Sequence, residues 1–184
     1  MVNNNDTIPT KFHPALIALH WLMLVLIVGA YVTMEFSDVF PKDSPERIFM
    51  KTTHFSLGMS ILFLVVVRIA VRLTTQTPPI VPAPNAKQEL LAKLMHLAIY
   101  VFMFAMPILG WLILSSHGKS VPFWGLQIPA IMGENKEIGH LFHELHEVGA
   151  TVGYFLLGLH AAAGLFHHYK MRDNTLLRMS FLKK

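Results

Sequence analysis

Cysteine is absent from the 184 residues. That excludes disulfides, iron–sulfur clusters and zinc sites held by thiolates, and covalently attached c-type haem. Charge is scarce too: 14% of residues are Asp, Glu, Lys or Arg, against 53% hydrophobic. This is not the composition of a soluble globular domain. Low-complexity tracts and internal repeats are missing, and no nucleic-acid partner is expected. Carboxylates are nearly absent from the apolar runs, which disfavours a histidine-rich metal transporter. What the chain has instead is eleven histidines, so imidazole is its only plentiful soft ligand.

The apolar runs set the organisation. Val148 to Phe166 is 19 residues with one ionisable side chain, His160, and roughly 20 apolar residues at 1.5 Å each cross a bilayer core. Four spans are expected, at about 14–36, 46–73, 86–116 and 139–170, in one all-α, membrane-embedded four-helix domain covering residues 1–184. Pro14 suits a first helical turn. Ser37-Asp38-Val39 offers no small-x-small cleavage site, so the first run reads as a retained span rather than a signal peptide. Pro78, Pro79, Pro82 and Pro84 make the second connection extended. Pro107 sits inside the third span, where a membrane helix tolerates it with a kink. Residues 117–137 read as a loop at the interface, given Phe123, Trp124 and Leu126, and residues 170–184 as a basic tail. Ten lysines and arginines fall on the side of the termini and five opposite. The positive-inside rule therefore puts both termini in the cytoplasm.

Orientation gives the histidines their meaning. His146 and His160 are 14 residues apart, which leaves them about 40° from the same direction and about 21 Å apart along a helix. Span one runs outward, so His20 lies near its inner end, level with His160. Span two runs inward, so His54 lies near its outer end, level with His146. His96 on span three has no partner at the outer level. An ionisable side chain in the membrane is a functional candidate by default, and two pairs at matched depths are more specific than any lone histidine. A bare metal ion usually needs more protein ligands. Haem iron needs only two, because the porphyrin supplies four nitrogens. Two non-covalent bis-histidine haem b groups are therefore expected, with His20, His54, His146 and His160 as the metal ligands.

Small residues stand where such rings would press: Gly58 beyond His54, Gly149 and Gly153 after His146, Ala163 and Gly164 after His160. Glycine and alanine also mark close helix packing. Arg68 follows His54 by 14 residues and lies at the depth of the inner haem, where its guanidinium can hold a propionate or else snorkel to the surface. Arg72 fits snorkelling better. His13, seven residues before His20, and His167, seven after His160, continue their ligands' faces toward the cytoplasm, and with His96 they are candidates for handling protons at that end.

The residues also carry a resemblance. His20-Trp21, Tyr31 with Met34-Glu35-Phe36, His54 with Gly58, Arg68-Ile69, Thr77-Pro78-Pro79-Ile80-Val81-Pro82 and His146-Glu147 are among them. So are Gly153-Tyr154-Phe155, Gly158-Leu159-His160-Ala161-Ala162-Ala163, His167-His168-Tyr169 and Asp173-Asn174-Thr175-Leu176-Leu177-Arg178-Met179. With these motifs the chain resembles the bacterial cytochrome b-561 family of four-helix di-haem quinone-linked cytochromes, and within it the superoxide oxidase branch. The resemblance implies the same pairing, His20 with His160 and His54 with His146. It implies that superoxide gives its electron at the outer haem and that ubiquinone is reduced near the inner one, with His167 on the quinone side.

Iron with two axial histidines has no open position and exchanges electrons rather than activating a bound substrate. The expected activity is a superoxide:quinone oxidoreductase with no obligatory protein partner. The alternative is a membrane anchor and electron conduit of a hydrogenase or dehydrogenase complex. Superoxide is an anion, so a positive funnel would speed its capture. Lys51, Arg47 and His143 are the candidate catalytic residues, with His140, Lys42 and Lys119 nearby and Glu144 and Glu147 opposing them.

Overall fold

A computed structural model describes residues 9–181. Lys183 and Lys184, counted with the terminal-side charges, lie outside the described residues. Four long helices dominate: α1 Pro14–Glu35, α2 Pro45–Thr74, α3 Ala86–Ser116 and α4 Lys136–Phe166. Each is long and apolar enough to cross a membrane.

Local chemistry sets the helix starts. Pro14 and Pro45 occupy first-turn positions, where a missing N–H costs nothing. Ser44 accepts from the Arg47 N–H, and Asn135 accepts from the Ile138 N–H. Asn85 and Gln88 form a reciprocal capping box at the start of α3, which satisfies two otherwise orphaned donors.

α1 packs along α2, α3 along α4, and α2 joins the two pairs. The small core holds Met23, Ile27, Ile61, Val65 and Met103. Large apolar side chains such as Val25, Phe63, Leu91 and Phe155 face outward. Helices apolar on both faces belong in a bilayer. α4 makes no extended backbone contact with α1 or α2, so a slot runs along its inner side.

Two regions are more ordered than the sequence predicts. The expected loop at 117–137 contains an antiparallel hairpin, β1 Val121–Phe123 and β2 Leu126–Ile128. Its turn residues Trp124 and Gly125 have φ of 47° and 87°, as the tight turn between twisted strands requires. The Ser56 hydroxyl of α2 accepts from the Trp124 N–H and directs its one proton to the Thr52 carbonyl of its own helix at 3.0 Å or to the Pro122 carbonyl at 3.3 Å, while Trp124 Nε1 donates to Ser60. The hairpin is thereby fixed to α2 over one end of the bundle.

The expected basic tail folds back at the other end. After α4, a π-turn spans His167–Met171. Asn174 exchanges hydrogen bonds with the Val81 backbone, Arg178 Nη1 donates to the Pro78 carbonyl at 2.6 Å, and Trp21 Nε1 donates to the Met179 carbonyl at 2.9 Å. Phe12 lies between the guanidinium groups of Arg72 and Arg178, at 5.6 and 5.3 Å. The tail, the proline-rich connection and the start of α1 form one cap.

Candidate functional site

The slot beside α4 is bridged by histidines at two heights. At the hairpin end, the rings of His54 on α2 and His146 on α4 have centroids 6.2 Å apart and planes at 76°. At the terminal end, His20 on α1 and His160 on α4 also stand 6.2 Å apart, at 65°. A metal–imidazole bond is about 2.0–2.1 Å. With the ring radius added on each side, two imidazoles sharing one metal have centroids roughly 6 Å apart. Both pairs match that spacing. All four rings are half-buried.

The hydrogen bonding suits ligation. His54 Nδ1 lies 2.9 Å from the Ala30 carbonyl of α1. A carbonyl can only accept, so Nδ1 carries the proton and Nε2 keeps its lone pair, the tautomer a metal ligand needs. His146 Nδ1 is buried without a hydrogen bond. The Met106 backbone faces that ring but falls short of hydrogen-bond geometry. Among the described residues, no three His, Asp or Glu side chains converge to hold a bare metal ion. A planar group that brings its own equatorial nitrogens meets this donor set; a bare ion does not.

The space is there as well. A cavity of about 440 Å³ lies against the hairpin-end pair, lined by His54, His146, Gly58, Gly110, Pro107 and Val121 among others. A Cβ at Gly58 would meet nothing within 4 Å, so that glycine opens onto a cradle. Gly153 differs. It is not part of that lining, and a Cβ there would meet Phe102 at 2.6 Å and the Tyr31 hydroxyl. Its face is filled by aromatic packing between the two levels rather than left open for a ring.

The remaining residues singled out in the sequence fall into several places. Arg68 Nη1 donates to the Leu16 carbonyl at 2.8 Å, and its charge lies within electrostatic range of His20, His96 and His160. It therefore stands at the terminal level. His96 reaches that level too, with its ring 5.7 Å from His160. His167 Nδ1 lies 2.5 Å from Asp173 Oδ2 inside the cap. Burial pushes the Asp173 carboxyl up, but hydrogen bonds from His167 and Thr175 outweigh it and hold the group below the ordinary carboxylate range. His13 caps α1, its Nδ1 accepting from the Ala15 N–H.

The expected positive funnel is divided. His143 lines the hairpin-end cavity, but the carboxylates there are Glu35 and Glu147. Arg47 and Lys51 are not among that cavity's lining. They line a separate surface hollow of about 230 Å³ with Lys42 and Asp43. Arg47 is also tied to Asp38 and to the Phe40 carbonyl, so its charge is largely spent. The chain fold across residues 37–44 makes that pairing, and spacing along α2 could not reveal it.

Sequence reasoning missed two groups. Tyr31 and Tyr154 stack with centroids 4.4 Å apart. The Tyr154 hydroxyl donates to Glu35 at 2.5 Å and the Tyr31 hydroxyl to the Ala150 carbonyl at 2.8 Å. Both tyrosines line the hairpin-end cavity. Their signal was their position near the outer histidines, in motifs noted for other reasons.

Comparison with known proteins agrees with this geometry. The sequence profile of the family described as prokaryotic cytochrome b561 matches residues 11–181. The chain is 39% identical over 169 residues to cytochrome b561 homolog 1 of Escherichia coli strain K12, covering 92% of this chain and 96% of that protein. It is equally identical, over 92% of its length and 95% of the other's, to a protein of Yersinia pestis named probable superoxide oxidase CybB. Identity to cytochrome b561 homolog 2 of E. coli K12 is 28% over 178 residues. Family membership implies haem b, and the paired imidazoles fit that group. With four membrane-length helices and two iron-spaced histidine pairs, the chain belongs to the prokaryotic cytochrome b561 family of membrane electron-transfer proteins.

Proposed function

We propose that the chain is a superoxide:ubiquinone oxidoreductase of the bacterial inner membrane, with both termini cytoplasmic and two haem b groups held by His54–His146 and His20–His160. The observation that carries this reading is the equal 6.2 Å spacing of the two imidazole pairs. A haem b, when bound, supplies reversible one-electron storage without an open coordination site. In the overall reaction, two superoxide anions each lose one electron and leave as dioxygen, and one ubiquinone takes both electrons and two protons.

The chain's own residues position and supply. The Ala30 carbonyl fixes the His54 ring and its tautomer. Lys51, three residues before His54 on α2, and Lys42 form the anion-collecting patch. Arg47 orders the neighbouring chain through Asp38. His143 lines the same cavity as His146. At the terminal end, Arg68 places a fixed positive charge beside the inner ligands, where it favours an anionic propionate or a quinone oxygen gaining charge. His167, held by Asp173, is the group in the cap able to pass a proton toward that end. The likeness to the Yersinia protein supports the choice of superoxide.

The test uses purified chain carrying its haem, mixed with enzymatically generated superoxide and a soluble ubiquinone. Reduced-haem absorbance followed by ubiquinol formation is expected. Haems that stay oxidised in superoxide, yet are reduced by a hydrogenase or dehydrogenase, would replace this reading with the conduit one. Lys51→Glu should slow haem reduction severalfold, and the deficit should shrink as added salt screens the patch.

A further inference from the structure

Three imidazoles, not two, meet at the terminal level. His96 comes from α3, and its ring lies 5.7 Å from His160 at 70°. His20 stands 6.2 Å from the same ring at 65°. Both separations are close to the roughly 6 Å of two imidazoles that share one iron. His96 as a residue is exposed.

We propose that His96 is a reserve axial ligand for the terminal-level haem: His160 is the common ligand, and His20 and His96 are alternatives for the opposite position. The inference rests on the two-haem reading above. The exchange breaks one iron–nitrogen bond to His20 and forms one to His96. Both imidazoles are neutral, so no electron and no net proton moves. α1 and α3 make no extended backbone contact and meet in the core through Met23, Ile27 and Met103, so the exchange needs only side-chain movement at the two imidazoles.

The measurement is haem content per chain, with low-temperature EPR of the oxidised protein, on wild type, His20→Ala, His96→Ala, His20→Ala/His96→Ala and His160→Ala. The hairpin-end haem reports folding in every sample. His20→Ala is expected to keep two low-spin haems, with the g values of one shifted. The double variant should lose the terminal-level haem or turn it high-spin, and His96→Ala alone should keep both haems low-spin. If His20→Ala keeps the hairpin-end haem but leaves the other high-spin or lost, His96 is no ligand and lies at the haem edge instead; where His20→Ala loses both haems, the milder His20→Gln is read by the same two outcomes. A low-spin double variant would equally overturn the proposal, because some other group would then supply the sixth bond. His160→Ala separates the two failures: retention of two low-spin haems there would sink the pairing itself, whereas loss of one leaves the pairing standing.

Discussion

At the scale of residues, the decisive feature is a distance. Histidines on three helices, far apart in sequence, are brought in two pairs to the separation a single iron imposes. The pairs were legible in the sequence because helical period and membrane depth are both readable from it: 14 residues fix a face and a height. His96 was legible as an inner-side imidazole, but nothing in its own span shows that α3 brings its ring beside His160. Arg47 misled for the opposite reason. Its charge reads as free along α2, but the turn before α2 places Asp38 against it. Glycines split in the same way. Gly58→Leu should leave the bundle folded and halve the haem content, because its side chain would occupy the cradle beside His54. Gly153→Ala should instead cost stability, about 1–3 kcal/mol from forced displacement of Phe102 and Tyr31. Haem extraction and thermal unfolding in detergent distinguish the two.

At the scale of elements, the four helices follow directly from apolar runs bounded by Pro14, Ser44-Pro45, Asn85 and Asn135. The hairpin did not show itself. Its strands are three residues each, and its turn has Trp124 at positive φ where Asn or Asp is the usual signal. What holds it is tertiary, through Ser56, which is 2% exposed and shared between two hairpin backbone groups. Ser56→Ala leaves the part-buried Trp124 N–H, with the Pro122 carbonyl beside it, without that partner, and should destabilise the hairpin by about 0.5–1.5 kcal/mol. Faster amide exchange across residues 121–128, with α3 unchanged, is the expected result.

The terminal cap is likewise an assembly of distant pieces. Its charge reads as a solvated tail, whereas Asn174 and Arg178 spend their hydrogen bonds on the proline-rich connection. Asp173 ties that fold to α4 through His167. Its carboxyl titrates below the ordinary range, so its contribution is fully present above the unfolded value of about 4. It is lost as pH falls through the lower folded value. Protection of residues 172–181 from proteolysis should therefore hold from neutrality to about pH 4 and fall below it. Asp173→Asn should lose much of that protection even at neutral pH.

At the scale of the whole molecule, α4 is the shared wall. It carries one histidine of each pair, and it makes no extended backbone contact with α1 or α2. A bundle that closed this gap with side chains would be a better-packed protein and no cytochrome. The open slot is the structural cost of the site, offset when a large apolar ring fills it. The family, the membrane setting and haem b follow from the sequence and its relatives. The number of haems rests on the two histidine levels. It is tested most directly by extracting and counting haem per chain in the wild type and in His146→Ala. Two in the wild type and one in the variant, with the survivor still low-spin, is the expected result. One haem per chain in both would contradict the two-level site.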